Sequence, residues 1–563
     1  MSKHPLLRNW AVSAIIIFCF CATWSMVTPI GASADEPAQL VKAASVVRGD
    51  IVGTAYSSRT ATGLPATSRA TIKACEYFAS AERCERAITV VTVPESFATL
   101  FPCYGYAIVP ASCGQGLQGS GRLVKATTYV GHYPPLYYLL VGWPSLAWHT
   151  NTAVYLMRLT SGLITALLLG LAIALAAVWS RRRTLLLAVV VIATPMVFIF
   201  GSFVNPSGME MAAATCVWTG GLVLVLERPT RPPPSLVAAT SAAAIVMVLT
   251  RGLSPFWLAV VGALLAVLAP RSLVTLARDR SIRIGAGFVA AASALAVIYV
   301  LWANSLAVLP VGAPVSSRIG TVNLVELTLG HAASWLSEFV GVPGSANAAF
   351  GVIVAWLAVT AAIVVTGMLT GAWRQALVLV GIAAAALVVP TTIVVSQAHR
   401  DGIVWQARDG YPLYAGVVLV AGAIAGQVRS TRSTDRDGPF LPDEVVHRLT
   451  VLIAVVVPLL QFGDLFWAVR RYVVGLGAQV NPFVAVHGRW TPPIPVGVLL
   501  AAGLLVCVAY GWWILKLNRV PSHVGRGLPE GTTTGPEWPA PEAGTGSCLA
   551  RASTWYLFQF CCC

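Results

Sequence analysis

The sequence predicts an all-α polytopic membrane protein with one long loop after its first span, and three observations carry that expectation. Of 563 residues, 57% are hydrophobic and only 10% charged, whereas an ordinary soluble domain has about 45–50% and about 25%. Mean hydropathy is +0.75. Apolar runs recur along the chain with enough length, at about 20 residues per crossing of roughly 30 Å, for about 12 transmembrane helices. No soluble core hides so much apolar surface behind so few charges, so a water-soluble multidomain enzyme is excluded. Four parts are expected: an N-terminal end with the first span (1–30), a loop domain with interfacial helices (31–152), a transmembrane domain (153–516) and a disordered tail (517–563).

Lys3, His4 and Arg8 precede the first apolar run, about Trp10 to Ile30. A basic start and the small residues Gly31-Ala32-Ser33-Ala34 suit a signal peptide, but the apolar part exceeds the roughly 7–15 residues of a cleaved one. An uncleaved first helix is expected. Further runs fall at about 153–180, 184–203, 207–226, 235–250, 254–269, 284–303, 349–372, 375–396, 412–428, 449–468 and 494–516. The runs at 235–250 and 254–269 are short, and little chain separates them. With the N-terminus inside, the inner connections hold 14 arginines and the short outer ones 7. That bias places both termini in the cytosol. The net charge of +15 then reflects orientation and contact with anionic lipid headgroups. No soluble, basic, aromatic-interleaved region exists to bind nucleic acid.

The long loop, 31–132, carries seven acids and nine bases and four of the twelve cysteines: Cys75, Cys84, Cys103 and Cys113. Four cysteines allow three pairings. The simplest is Cys75 with Cys84 and Cys103 with Cys113, consistent with a loop outside the cytosol. Neither pair has the close spacing of a structural zinc site. Four unpaired small apolar side chains are the alternative.

Several residues are candidates for chemistry. Asp35 and Glu36 follow the first helix and precede Pro37; such a pair suits a general base or a metal ligand, or else a solvated helix start. His132 and Tyr133 open an aromatic stretch, Tyr133-Pro134-Pro135-Leu136-Tyr137-Tyr138, fit for an interfacial helix. Glu210 lies about one turn into a span, where an ionisable group is a functional candidate, although a helix N-terminus also favours it. Asp464 has the same ambiguity. Arg408 enters a span beside an aromatic and suits phosphate, or a surface pair with Asp409. Arg251, at the outer end of its span, and Arg470 and Arg471 are further phosphate candidates. No Walker A, G-x-G-x-x-G, H-E-x-x-H or G-x-S-x-G pattern is present, so any donor group arrives from the membrane or the outer compartment.

Four stretches together resemble the bacterial membrane proteins of domain of unknown function 2142: Asp35-Glu36-Pro37-Ala38, His132 through Tyr138, Asn205-Pro206-Ser207-Gly208-Met209-Glu210, and Gln406-Ala407-Arg408-Asp409-Gly410-Tyr411-Pro412. The resemblance covers roughly 10–516. It departs at Gln39, where the family pattern has His, and at Asp409-Gly410, which interrupt a compact Gln-x-Arg-Tyr. That family is similar to GT-C glycosyltransferases, which move sugars from polyprenyl phosphate. The resemblance implies Asp35 as catalytic acid or base and Glu36 as second carboxylate or divalent-cation ligand. It implies His132 and Tyr133 as site-lining residues.

The expected function is transfer of a sugar from a polyprenyl-phosphate carrier to an outer-face glycan or lipid acceptor, in a bacterial plasma membrane. Ala-, Val-, Gly- and Arg-rich usage points to a high-GC, actinobacterial-type source. Glu210, Arg251 and Arg408 are expected to bind substrate. The rival expectation is a non-enzymatic membrane protein, such as a lipid-linked saccharide transporter or envelope-assembly partner.

Overall fold

The computed structural model describes residues 5–33, 35–57, 63–100, 111–113, 116–227, 231–306, 314–342, 348–426, 441–475 and 490–518. Helix α1 (Pro5–Val27) ends in a tight turn through Gly31, at φ 77°. The loop domain then runs α2 (Glu36–Val46), β1 (Thr54–Ala55), α3 (Ala66–Phe78), α4 (Ala81–Ala87), β2 (Thr89–Pro94), α5 (Glu95–Ala98), β3 (Leu123–Thr128), α6 (Leu136–Val141) and α7 (Pro144–Ala147).

The all-α expectation needs one correction here, because the domain is built around a three-stranded antiparallel sheet in the order β1-β2-β3. The β-branched stretch Thr89-Val90-Val91-Thr92-Val93 suits a pleated surface, and it pairs in register from Thr89 against Thr128 to Pro94 against Leu123. Such a short strand lies below the length that membrane-scale apolar runs reveal. The sheet and α2 share a core of Leu40, Val91, Val93, Phe97, Tyr137 and Tyr138. Cys75 and Cys84 are disulfide-bonded and tie α3 to α4. Cys103 and the side chain of Cys113 lie outside the described residues.

Helix α8 (Asn151–Trp179) packs along α1. Small residues permit the close approach expected between helices in lipid: a Cβ on Gly170 would meet the Ala14 backbone nitrogen at 2.8 Å, and one on Gly162 the Cys21 Cβ at 2.8 Å. Next come α9 (Arg183–Ile192) and α10 (Pro195–Ser202), bent by 57° at Ala193-Thr194. Pro195 lacks the N–H that would continue the ladder. Three successive carbonyls around the break are capped by side chains from other helices: Trp356 donates to Val191 at 3.1 Å, Tyr411 to Ile192 at 3.1 Å and Gln461 to Ala193 at 2.9 Å. Irregular backbone at membrane depth requires such replacement partners.

Helix α11 (Pro206–Glu227) is the central one, with 94% of its apolar window buried. Around it lie α12 (Pro234–Val248), α13 (Ser254–Leu268) and α14 (Pro270–Leu276), the last two bent by 110°. They are followed by α15 (Arg280–Ala303), capped by the Asp279 carboxylate accepting from the Ser281 N–H at 2.8 Å. The short α16 (Thr321–Gly330) and α17 (Ala332–Glu338) precede α18 (Phe350–Thr370), α19 (Trp373–Asp401), α20 (Ala407–Ala425), α21 (Asp443–Val474) and α22 (Val496–Leu517).

Among the described residues every apolar run of the sequence contains a helix. By length and apolarity, eight helices among the described residues can cross a membrane, or ten if each bent pair is one span. The two remaining runs are α12, only 15 residues long, and α20, which opens on Arg408 and Asp409. The structure therefore supports eight or more spans.

Candidate functional site

Asp35 immediately precedes α2 in the left-handed region, with φ 64° and ψ −4°. Aspartate tolerates that conformation better than most residues. The turn aims its carboxylate away from its neighbour Glu36. Its Oδ1 accepts from the Tyr129 hydroxyl at 2.9 Å and its Oδ2 from Arg408 Nη2 at 2.5 Å. Tyr129 follows β3, and Arg408 lies in the first turn of α20, so the pair joins the loop domain to the helical bundle. Burial pushes the Asp35 carboxyl upward, but the charge and hydrogen bond of Arg408, aided by Tyr129, outweigh burial and hold it below its ordinary value. Asp35 is therefore ionised at neutral pH. The Tyr129 hydroxyl is driven well up, by burial first and then by the adjacent carboxylate, so it stays a donor.

A second arginine sits beside this pair. Arg251, in the turn between α12 and α13, donates from Nη1 to Glu210 at 2.9 Å and from Nη2 to Asp409 at 2.8 Å. Ser254 holds the other Glu210 oxygen at 2.6 Å. The Arg408 guanidinium also stacks over Phe200, its centre 5.1 Å from the ring. The result is an alternating row, Asp35–Arg408 beside Asp409–Arg251–Glu210.

The row borders a cavity of about 370 Å³. Asp35, Tyr129, Tyr133, Arg251, Arg408 and Asp409 line it, as do the neutral polar residues Ser305, Ser396, Gln397 and Gln406, while Leu253, Leu306, Ile393, Val394, Val404 and Trp405 supply apolar surface. A charged head with an apolar flank matches an amphiphilic ligand.

The expected site residues divide between this cavity and elsewhere. Asp35, Tyr133, Arg251 and Arg408 line it. Glu210 stands behind Arg251 and orients it. His132 does not line it; the ring donates from Nδ1 to the Ala303 carbonyl at 2.7 Å, and Ser305 binds the His132 carbonyl, so it anchors the loop domain to the end of α15.

Glu36 is separated from Asp35 altogether. It is fully buried with Arg158 of α8, in a bidentate pair at 2.7 Å (Nε to Oε1) and 2.6 Å (Nη2 to Oε2). It also accepts from the Gly31 N–H at 2.9 Å, and Arg158 caps the Ser25, Thr28 and Pro29 carbonyls. With its oxygens so occupied, Glu36 joins α1, α2 and α8 and is not offered to a ligand or cation.

Arg470 and Arg471 are buried near the end of α21, where Arg470 stacks over Trp467 at 4.6 Å, and Asp464 is buried lower in that helix. None of the three lines the cavity. Among the described residues no group of three or more His, Cys, Asp or Glu is placed to hold a metal ion.

Three contributors escaped sequence reasoning. Tyr129 is one of several loop tyrosines with no local signature. Asp409 forms no pair with adjacent Arg408 but serves Arg251, 158 residues away in sequence. Arg158 had a usable signal, being the one charge inside the α8 run, where an ion needs a partner.

Residues 18–417 match the family model described as Predicted membrane protein (DUF2142), and the chain belongs to that family. No curated protein and no solved structure matches the chain.

Proposed function

We propose that this member of the DUF2142 family transfers a sugar from a polyprenyl-phosphate carrier to a glycan or lipid acceptor on the outer face of a bacterial plasma membrane, with GT-C-like architecture and both termini cytosolic. One observation carries the reading: a carboxylate and two arginines from distant parts of the chain converge on one cavity that Leu253, Leu306, Ile393, Val394, Val404 and Trp405 also line. Arginine bias between the connections supports the orientation, and the absence of a nucleotide motif favours a donor that arrives in the membrane.

In this reading Asp35 accepts the proton of the acceptor hydroxyl as that oxygen attacks the anomeric carbon. The bond from that carbon to the phosphate oxygen breaks, and its electron pair leaves with the lipid phosphate. Arg408 and Arg251 stabilise the departing charge. Attack opposite the leaving group inverts the anomeric centre. For the divalent cation that the resemblance implies, Asp35 is the one of the two expected carboxylates that lines the cavity, and its oxygens are engaged by Tyr129 and Arg408.

The test is lipid-linked glycan profiling of a deletion strain complemented with the parent gene or Asp35→Asn. Accumulated carrier-linked sugar and loss of the acceptor-linked product, with normal protein level, is the expected result for both the deletion and the variant. An unchanged profile in the variant overturns the reading. The transporter alternative draws on the bent pairs α9–α10 and α13–α14, since transporters use interrupted helices. At α9–α10, however, the exposed carbonyls are sealed by Trp356, Tyr411 and Gln461. A transporter would keep its glycan flux in Asp35→Asn and move labelled lipid-linked sugar across proteoliposomes.

A further inference from the structure

The cavity lining has several origins, among them Arg251, Gly252 and Leu253 in the α12–α13 turn and Ser305 and Leu306 after α15. Asp35, Tyr129 and Tyr133 come from the loop domain. Ile393, Val394, Ser396 and Gln397 come from the last turns of α19, and Gly402, Val404, Trp405 and Gln406 from the strap that leads into α20. What holds the end of α19 and the strap is visible at Asp401, the last residue of α19. Gly402 follows it at φ 78°, a conformation that a β-carbon disfavours, and the chain there turns sharply into the strap.

Asp401 is almost fully buried, its side chain 6% exposed, and Arg83 of α4 holds it in an ion pair through Nη2. Arg83 Nη1 donates to the Arg400 carbonyl at 2.7 Å, capping the C-terminal end of α19, where a cation also complements the helix dipole. Arg400 Nε completes the carboxylate at 2.8 Å. Arg83 thus grips the hinge residue and the helix end together.

Its own support is stiff. Arg83 directly precedes Cys84, which is bonded to Cys75, and the hairpin packs a small core of Tyr56, Leu64, Ile72, Ile88 and Val90 against the disulfide. The cross-link fixes the backbone from which the Arg83 guanidinium extends.

We propose that Arg83 is a positioning residue: the α3–α4 hairpin clamps the 402–406 strap through Asp401 and thereby fixes the part of the cavity lining that the end of α19 and the strap supply. The amphiphilic ligand enters and leaves when this clamp opens. As a statement about catalysis this rests on the transferase reading, but the clamp itself is a matter of structure and has a readout without turnover.

The experiment places a cysteine on the strap, Val404→Cys, in the full chain and follows maleimide labelling in detergent, with the parent background subtracted. Labelling rises at least tenfold with Arg83→Ala and with the milder Asp401→Asn, while Arg83→Lys falls between these and the parent. Rates within twofold of the parent in both Arg83→Ala and Asp401→Asn overturn the clamp. Hydrogen exchange over 402–406 supplies a second measure, rising in the same two variants. Glycan profiling with Asp35→Asn separates the two ideas: an unchanged profile beside accelerated labelling removes the transferase and keeps the clamp.

Discussion

Asp35 and Glu36 are neighbours with the same functional group, yet they serve opposite ends. Glu36 is sealed with Arg158 at 0% exposure for both side chains, whereas Asp35 pairs with Arg408 at 29% and 12%. A single left-handed residue divides them, sending one carboxylate into the junction of α1, α2 and α8 and the other to the edge of a cavity. The fully buried pair spends its hydrogen bonds on backbone carbonyls and joins helices. The accessible pair keeps a carboxylate ionised beside space for a ligand. Adjacent acids at a helix start therefore part into one that joins helices and one that borders a cavity.

The largest expected effect breaks the first half. Arg158→Met leaves Glu36 buried without its cation and removes the guanidinium donors from the Ser25, Thr28 and Pro29 carbonyls at the end of α1. Loss of one partner of a buried pair costs about 3–5 kcal/mol. A sharp fall in monodisperse yield and melting temperature in detergent is expected; a parent-like melt would show that the pair is dispensable to the fold.

Asp35→Asn tests the other half. Product formation should fall about 10²–10⁴-fold, as for a lost general base, while the melting temperature falls less than in Arg158→Met, since the Asp35 side chain is 29% exposed and asparagine keeps one acceptor oxygen. A variant that unfolds as Arg158→Met does would erase the distinction between the two carboxylates.

A smaller effect comes from Glu210→Gln, which weakens the hold on Arg251 without entering the cavity. Asp409 still holds Arg251 and Ser254 still bonds residue 210, so transfer should drop about tenfold, in the range for a disturbed supporting partner, with a fall in melting temperature smaller than that of Arg158→Met, because the Glu210 side chain is 1% exposed and its ion pair is lost. Equal loss from Glu210→Gln and Asp35→Asn would place Glu210 in direct contact with substrate.

The smallest effect is in pH dependence. The Asp35 carboxyl is held below its ordinary value of 3.8, so the stability that it contributes is fully present above that value and is lost as pH falls through the lower folded-state value. Transfer should show no acid limb from this residue between about pH 5 and pH 7. An acid limb in that interval that Asp35→Glu shifts would show the carboxylate to be less firmly held by Arg408 than its geometry indicates.

The buried lysine of the loop domain shows how little of such detail is written locally. Lys42 donates to the Ile51 and Gly131 carbonyls, and burial, partly opposed by Asp50, pushes its ammonium down to about 7. In sequence it is an ordinary lysine on an amphipathic helix. The same holds for Arg83 and Asp401, which are 318 residues apart and carry no mark of their pairing. Arg251, by contrast, was legible as a costly charge at a membrane boundary, although its partners were not.

Apolar length, arginine asymmetry and cysteine spacing are properties of short stretches, and the bilayer imposes a single length on every crossing. From them the sequence alone determined that this is a helical, multi-pass chain with a loop domain after its first helix, and that the charge at position 35 deserved notice. The fold decided everything that depends on who meets whom: that Glu36 belongs to Arg158, that Asp409 turns from its neighbour to Arg251, that a β-sheet supports α2, and that α19 and α20 close over Asp35. The physical reason is that an ion's partner in a low-dielectric interior is chosen by proximity in space, and in this chain those partners lie from 41 to 373 residues apart.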